Sequence, residues 1–233
     1  KLFLLGLKLA DKIICQTKEQ QTQLNKKFKA KSFVIPSGYP IKSSRKNKTK
    51  KQGILWVARA EEWKMPNLFI ELAKKIPEEK FTMICPPAEN CPKYFDLIKA
   101  KAEKVKNLIF ITQVPFRNID AYFAKAKVFI STSLSEGFPN TFIQAAKNKT
   151  PIISFKVNPD KIIDKYQIGF CAEGDERQMI ILLKELLKSN QLWRRLATNA
   201  YNYARQCHDI KNTVRQYQKL FEREKDRSAE NNA

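Results

Sequence analysis

The apolar positions of this chain fall into short runs separated by longer amphipathic stretches. From residue 53 onward the runs are GILWVA (53–58), FTMIC (81–85), LIFIT (108–112), VFI (128–130), 150–155 and 168–172. Each is rich in β-branched or aromatic residues and too short for a helix, so each predicts a strand. The stretches between them carry apolar residues at helical spacing. They predict helices over 67–75 (with Leu68, Ile70 and Leu72), 94–104, 118–126, 139–148 and 162–166. Two longer helices follow over 176–189 and 191–206, and a last one over 210–221. The front of the chain reads as a helix over 1–9, a strand over 11–16, a helix over 18–28 capped by Thr17, and a strand over 32–35 closed by Pro36-Ser37-Gly38. Strands alternating with helices of this length predict an α/β fold, with a parallel sheet covered by helices on both faces.

Between the two parts lies KSSRKNKTKK (42–51), with six basic residues in ten and nothing apolar. This is a linker or exposed loop. The expected organisation is 1–41 as the end of one domain and 42–51 as a basic linker. A second domain covers 52–206, a C-terminal helix 207–224, and a disordered tail 225–233. The opening KLFLLGLKLA is too short to span a membrane. No small-residue cleavage site follows it, as a signal peptide would need. It reads as a buried helix of a domain whose front part is missing.

The formal net charge is +21. It is carried by 34 Lys against 10 Arg, and Arg is the residue preferred where phosphates are gripped in fixed geometry. A Lys-heavy balance of this kind is also what compositional bias alone produces, and that reading stands beside the functional ones. The functional readings are contact with an anionic membrane face and nucleic-acid binding. No interleaving of basic and aromatic residues and no zinc-finger, helix-turn-helix or RRM pattern is present, so nucleic acid is not expected. The five cysteines (15, 85, 91, 171 and 207) are odd in number and irregular in spacing. They suit neither a zinc site nor a disulfide framework, and as free thiols they point to a reducing, cytoplasmic compartment.

In open parallel sheets a ligand sits beyond the carboxyl ends of the strands. That rule selects Arg59, Lys64, Arg117, Glu136, Asn140, Thr141 and Lys156, with Gln144 one turn into its helix. There is no G-x-G-x-x-G and no P-loop. The most informative stretch is VFISTSLSEGFPNTFIQAAKNKTPIISF (128–155). A strand ends in Ser131, Thr132 and Ser133. A loop carrying Glu136, Gly137 and Phe138 follows, and a helix starts at Pro139 and Asn140. Free N–H groups at a helix N-terminus suit an anion. A carboxylate at its lip can accept from hydroxyls. The loop therefore suits a ligand that is part anion and part polyol.

SEGFPNTFIQAA resembles the signature of retaining glycosyltransferases with the GT-B fold, the group-1 or GT4 type. There the Glu-Gly-Phe loop is followed by a second Glu eight positions after the first; here Gln144 stands at that position. Gln keeps an acceptor and loses the charge. Arg59 and Lys64, in ARAEEWKM, are similar to the family's G-R-L-x-x-x-K-G, with both glycines replaced by Ala58 and Met65. The IPSG turn at 35–38 resembles the end of the family's N-terminal half.

The resemblance implies a Rossmann-like donor-binding half (52–206) and a remnant of a second, acceptor-side α/β domain. It implies a donor that is a UDP- or GDP-linked sugar, with no cofactor and no metal. Arg59 and Lys64 would hold the diphosphate, Glu136 the sugar hydroxyls and Gln144 the ribose. Val114, with Pro115, would meet the base through main chain. Gly137, Phe138, Pro139, Asn140 and Thr141 would complete the donor site, and Glu136, Arg59 and Lys64 would carry the chemistry. Asn158-Pro159-Asp160 is similar to a loop near the sugar, although for Pro159 and Asp160 a turn and helix cap serves equally well. Expected partners are a nucleotide sugar and an acceptor glycan, lipid-linked glycan or small molecule, with peripheral membrane contact left open. The expected location is the cytoplasm, at most peripheral at the inner membrane face. The expected role is in cell-surface polysaccharide, lipopolysaccharide or glycolipid synthesis, and this stretch alone is expected to be inactive. The rival readings are a basic nucleic-acid- or membrane-binding module on the same fold and another GT-B enzyme type such as a sugar-nucleotide epimerase. His208 is expected to be a surface or packing residue, and Glu61 and Glu62 to be solvated.

Overall fold

The computed structural model describes residues 2–41, 51–89 and 91–230, with side chains described as far as residue 222. The chain divides into two compact units, Lys1–Ser43 with Ala204–Ala233, and Ser44–Tyr203.

The larger unit holds a six-stranded sheet. Its strands are β3 (Ile54–Val57), β4 (Phe81–Ile84), β5 (Leu108–Ile111), β6 (Val128–Ser131), β7 (Ile152–Ser154) and β8 (Gly169–Cys171). Their order is β5-β4-β3-β6-β7-β8, and every neighbouring pair is parallel. The intervening helices are α3 (Pro66–Lys75), α4 (Pro92–Ala102), α5 (Phe116–Lys125), α6 (Asn140–Lys147) and α7 (Ile162–Lys165), followed by α8 (Glu176–Lys188) and α9 (Asn190–His208). Successive strand residues alternate faces, and both faces are covered. Ile54, Trp56, Val128 and Ile130 enter a cluster with Phe69, Phe81, Met83, Met179 and Leu183. The intervening Phe129 meets the rings of Phe123 and Phe142 at 5.3 and 6.4 Å. Burial on both faces explains why these strands read as continuous apolar runs.

Helix starts follow local chemistry. Pro66 and Pro92 each stand in the first turn of their helices, where a missing N–H costs nothing. Asp175 caps α8 by accepting from the N–H groups of Arg177 and Gln178 at 2.7 and 3.1 Å.

The chain leaves β3 toward β4 on one side and β6 toward β7 on the other, so β3 and β6 flank the topological switch point. Their ladder is registered at only two positions, Ile54 with Val128 and Leu55 with Phe129, whereas β3 and β4 are registered at four. Backbone pairing across the switch point therefore ends one residue before Trp56.

The smaller unit contains α1 (Leu2–Leu9), β1 (Ile14–Cys15), α2 (Lys18–Phe28), β2 (Phe33–Val34) and α10 (Ile210–Glu230), with β1 and β2 parallel. The Thr17 hydroxyl accepts from Gln20 N–H at 3.0 Å, the cap expected from sequence. The front helix is not buried as expected. Leu2 is 86 % and Leu9 72 % exposed, and its ring contact is Phe3 against Phe28 at 5.7 Å. An apolar face eight residues long finds little to pack on among the described residues.

His208, by contrast, is buried. Its Nδ1 lies 2.8 Å from the Ser37 carbonyl, and its own carbonyl accepts from Tyr39 N–H at 2.8 Å. Gly38 makes this approach possible, since a Cβ there would stand 2.7 Å from Thr213 Oγ1. The last helix reaches Glu230, well into the tail expected to be disordered at 225–233. Residues 222–230, EREKDRSAE, are mostly strong helix formers with no Gly or Pro. Residues 231–233 lie outside the described part. Of the expected linker at 42–51, only Lys51 is described. It is not a free linker residue: its Nζ donates to the carbonyls of Phe123 and Asn148 at 3.2 and 2.6 Å and to Thr150 Oγ1 at 2.7 Å. The ends of α5 and α6 present carbonyls with no helical donor, and a cation suits them.

Candidate functional site

The site is assembled from the two loops that leave β3 and β6. After β3 the chain makes a tight turn, with Glu61 N–H donating to Arg59 O at 2.8 Å, and then a 3-10 turn over Glu62–Lys64. Met65 follows with φ +47°, in the left-handed region, and α3 begins at Pro66. At the carboxyl end of β6 stand three buried hydroxyl residues, Ser131 in the strand and Thr132 and Ser133 just beyond it. Buried hydroxyls require partners, and those of Thr132 and Ser133 find them in the site. The Ser133 hydroxyl donates to Glu136 Oε1 at 2.9 Å. Thr132 Oγ1 accepts from Trp56 Nε1 at 2.8 Å and donates to Lys64 O at 2.5 Å. Leu134 N–H donates to Trp63 O at 2.9 Å.

The central contact is an ion pair between Lys64 Nζ and Glu136 Oε1, hydrogen-bonded, with side chains 14 % and 16 % exposed. It joins residues 72 apart in sequence across the switch point. The Lys64 ammonium also lies 3.8 Å from the centroid of the Trp63 ring, a cation–π placement. Arg59 stands more openly. Its side chain is 60 % exposed and its Nη2 is 3.5 Å from Glu61 Oε1. Glu61 itself is not solvated, contrary to expectation. Its side chain is 19 % exposed and Oε2 has no hydrogen-bond partner among the described residues. The tight turn after Arg59 brings the Glu61 carboxylate back to the Arg59 guanidinium; Glu62 is exposed, as expected.

The other expected residues divide into two groups. Gly137 and Asn140 are exposed, Phe138 and Thr141 half-buried, and Pro139 buried. Pro139 caps α6 without a side-chain hydrogen bond, and Phe142 N–H is the one that returns to Pro139 O at 2.9 Å. The N–H groups of Asn140 and Thr141 therefore have no helical acceptor, which leaves an anion-binding end close behind Glu136. Gln144, one turn further on, is 6 % exposed.

Val114 follows β5, two strands from β3. At about 4.8 Å per strand, roughly 10 Å of sheet lies between. Arg117 and Lys156 are exposed. Asn158 serves the turn: its Oδ1 accepts from Ile163 N–H at 3.0 Å and its Nδ2 donates to Asp164 Oδ2 at 2.6 Å. Sequence reasoning gives no site role to Trp56 or Trp63, places Thr132 and Ser133 only at the strand end, and reads Glu61 as solvated. The available signal was the run of three hydroxyl residues at the carboxyl end of an apolar strand.

The cysteines take no part. Burial pushes the Cys85 thiol up to about 12 and is the main cause pushing Cys171 up to about 11. Both are poor nucleophiles at neutral pH. Among the described residues no three His, Cys, Asp or Glu side chains converge as a metal site would need, and no helix is long and apolar enough to cross a membrane.

A doubly wound parallel sheet, with a cation–carboxylate pair and an uncapped helix N-terminus at its switch point, is a Rossmann-like α/β unit. The chain belongs to the glycosyl transferases group 1 family, whose model matches residues 40–203. It is similar to glycosyltransferase 1 domain-containing protein 1 of Xenopus tropicalis, at 21 % identity over 157 residues, which are 67 % of this chain and 45 % of that protein. Sucrose-phosphate synthase of Thermosynechococcus elongatus has the same fold, with a TM-score of 0.79 at 16 % identity, over 95 % of this chain and 60 % of its own. So has Anabaena HepE, solved in complex with UDP-glucose, with a TM-score of 0.80 at 15 % identity over 94 % and 65 %. S. aureus TarM, solved with UDP and alpha-GlcNAc-glycerol, gives 0.78 at 19 % identity over 94 % and 45 %. The chain thus spans roughly half to two thirds of the length of the proteins it resembles.

Proposed function

We propose that the larger unit binds the donor of a retaining, metal-independent sugar transfer of the GT4 type. The donor is a UDP- or GDP-linked sugar and the acceptor a hydroxyl of a glycan, lipid-linked glycan or small molecule. The observation that carries this reading is the Lys64–Glu136 pair at the switch point, with Ser133 on the same carboxylate oxygen. It offers a cation and a hydroxyl acceptor side by side, which is what a phosphate joined to a polyol requires.

In the reaction the bond between the anomeric carbon and the diphosphate oxygen breaks. The acceptor oxygen bonds to the same carbon on the same face, and its proton ends on the departing diphosphate or in solvent. Charge growing on the diphosphate is met by Lys64, Arg59 and the N–H groups of Asn140 and Thr141. Preorganised donors of this kind contribute about 10²–10³ in rate each. Glu136 holds sugar hydroxyls, Gln144 the ribose, and main chain at Val114 the base. The 233 residues alone bind donor without transferring it. The protein works in the cytoplasm, in cell-surface polysaccharide, lipopolysaccharide or glycolipid synthesis.

The reading is tested by calorimetric titration of the chain with UDP, GDP and their hexose conjugates. One base series is expected to bind in the micromolar to millimolar range. Binding to none of the four removes the proposal. Salt-sensitive binding to nucleic acid or anionic vesicles without any nucleotide preference would install the basic-module reading in its place.

A further inference from the structure

We infer that Thr132 is a positioning residue that holds Lys64 in place for a nucleoside diphosphate, through a relay of two hydrogen bonds that begins at Trp56; the inference rests on the donor-site reading above. Trp56 is 1 % exposed and Thr132 0 %. A buried indole N–H needs an acceptor, and Thr132 Oγ1 supplies it at 2.8 Å. A hydroxyl has one proton. With Trp56 donating to one lone pair, the proton of Thr132 is directed to the Lys64 carbonyl, 2.5 Å away.

The relay begins where the backbone ladder stops. β3 and β6 are last registered at Leu55 and Phe129. Beyond that point the strand ends are joined by side chains, first Trp56 to Thr132 and then Thr132 to the turn after β3. Leu134 N–H to Trp63 O, at 2.9 Å, is the second tie between the same segments. The Lys64 carbonyl falls between the 3-10 turn over Glu62–Lys64 and the start of α3. It is therefore a carbonyl that neither helix claims. Holding it fixes the main chain beneath a long, flexible side chain. The ammonium is then confined between the Trp63 ring and Glu136 before any ligand arrives. Such preordering is how a supporting hydroxyl reaches affinity without touching the ligand.

The test compares Thr132→Val, which keeps the shape and removes the hydroxyl, with Thr132→Ser, which keeps the hydroxyl. The first readout needs no ligand. The N–H groups of Lys64 and Met65 donate to Glu61 O and Glu62 O, and their hydrogen exchange reports how firmly the turn is held. Exchange is expected about tenfold faster in Thr132→Val and near wild type in Thr132→Ser. The second readout is the dissociation constant for UDP and GDP. Thr132→Val is expected about tenfold weaker, the change expected from the bond to the Lys64 carbonyl, the one of its two lost bonds that bears on the nucleotide, and Thr132→Ser within about threefold.

In a Lys64→Ala background the same Thr132→Val change is expected to alter nucleotide affinity by less than about twofold, because its route is gone. Equal losses in both backgrounds would mean that Thr132 acts on the fold at large, and would overturn the inference. So would unchanged exchange at Lys64 and Met65. If Thr132→Val does not fold, Trp56→Phe removes the first bond only. Exchange at the two amides should then rise about twofold to threefold, and no rise refutes the relay. If the wild type binds neither UDP nor GDP, the donor-site reading falls, and exchange at the two amides still decides whether Thr132 holds the turn.

Discussion

Replacing Glu136 by Ala separates the two halves of the proposed ligand. In the free protein Lys64 is held by Glu136, with both side chains about one-sixth exposed or less. Breaking a fully buried pair by removing one partner costs about 3–5 kcal/mol, and breaking an exposed one costs under about 1 kcal/mol. This pair lies between, so a loss near 2 kcal/mol of stability is expected in urea unfolding. The stranded ammonium then has no carboxylate, and a phosphate is the natural replacement. A hydrogen bond to a charged group contributes about 1.5–3 kcal/mol. Part of that is already present in the wild type, so a bare nucleoside diphosphate should bind Glu136→Ala about threefold to tenfold tighter. Its sugar conjugate should bind more weakly than to the wild type, because the hydroxyl acceptor has gone. Saturating nucleotide at about one hundred times its dissociation constant should add about 2.7 kcal/mol and cover the stability deficit. The assay is paired calorimetry and urea unfolding of both proteins with both ligands. Equal weakening of the bare and the sugar-linked nucleotide would refute the reasoning, because Glu136 would then be only a brace for its loop.

Arg59→Ala should weaken the nucleoside diphosphate and its sugar conjugate alike, by about tenfold or more, since a guanidinium pairs with phosphate oxygens. Its side chain is 60 % exposed, so calorimetry should move while the stability from urea unfolding stays within about 0.5 kcal/mol of wild type. Burial is the main cause that lowers the His208 pKa from its ordinary 6.5, partly opposed by the Ser37 carbonyl. The unfolded chain then takes up the proton first, so His208's contribution is complete above about pH 6.5 and is lost as pH falls through the lower folded value. Urea unfolding across this range should show that slope in the wild type, and His208→Gln should flatten it. Cys91 is exposed whereas Cys15 and Cys85 are buried. In the native protein Cys91 should therefore react with a thiol reagent well ahead of Cys85, whose thiol stands at about 12. Mass mapping of the labelled sites checks the order.

Much of this architecture was legible before any coordinates. Runs such as FTMIC and LIFIT are too short for helices and apolar throughout, and they became β4 and β5 with ends within a residue of those expected. Thr17 could be read as a cap because capping is a contact over three residues. The readings that failed share a different property. The exposure of α1 depends on what stands opposite it, not on its own hydropathy. An acidic pair such as Glu61-Glu62 reads as solvated, yet the Glu61 carboxylate is turned back to Arg59 with one oxygen buried. Lys51 was read as linker because its neighbours are basic, yet its acceptors belong to α5 and the end of α6.

The sequence by itself determined that this chain would form a parallel α/β sheet, and it directed the search for a site to the loops after its strands. That follows from periodicity and strand polarity, which are properties of a few consecutive residues. The strand-end rule also listed Arg59, Lys64 and Glu136 among the polar candidates, and the family resemblance is what implied a diphosphate and a sugar for them. Only the tertiary structure decided that β3 and β6 stand side by side, bringing Lys64 to Glu136 across 72 residues while Arg59 stays open to solvent. Strand order is set by which helices and strands pack together over the whole sheet. No local pattern carries that information, and the buried Trp56–Thr132–Lys64 relay exists only once that order is formed.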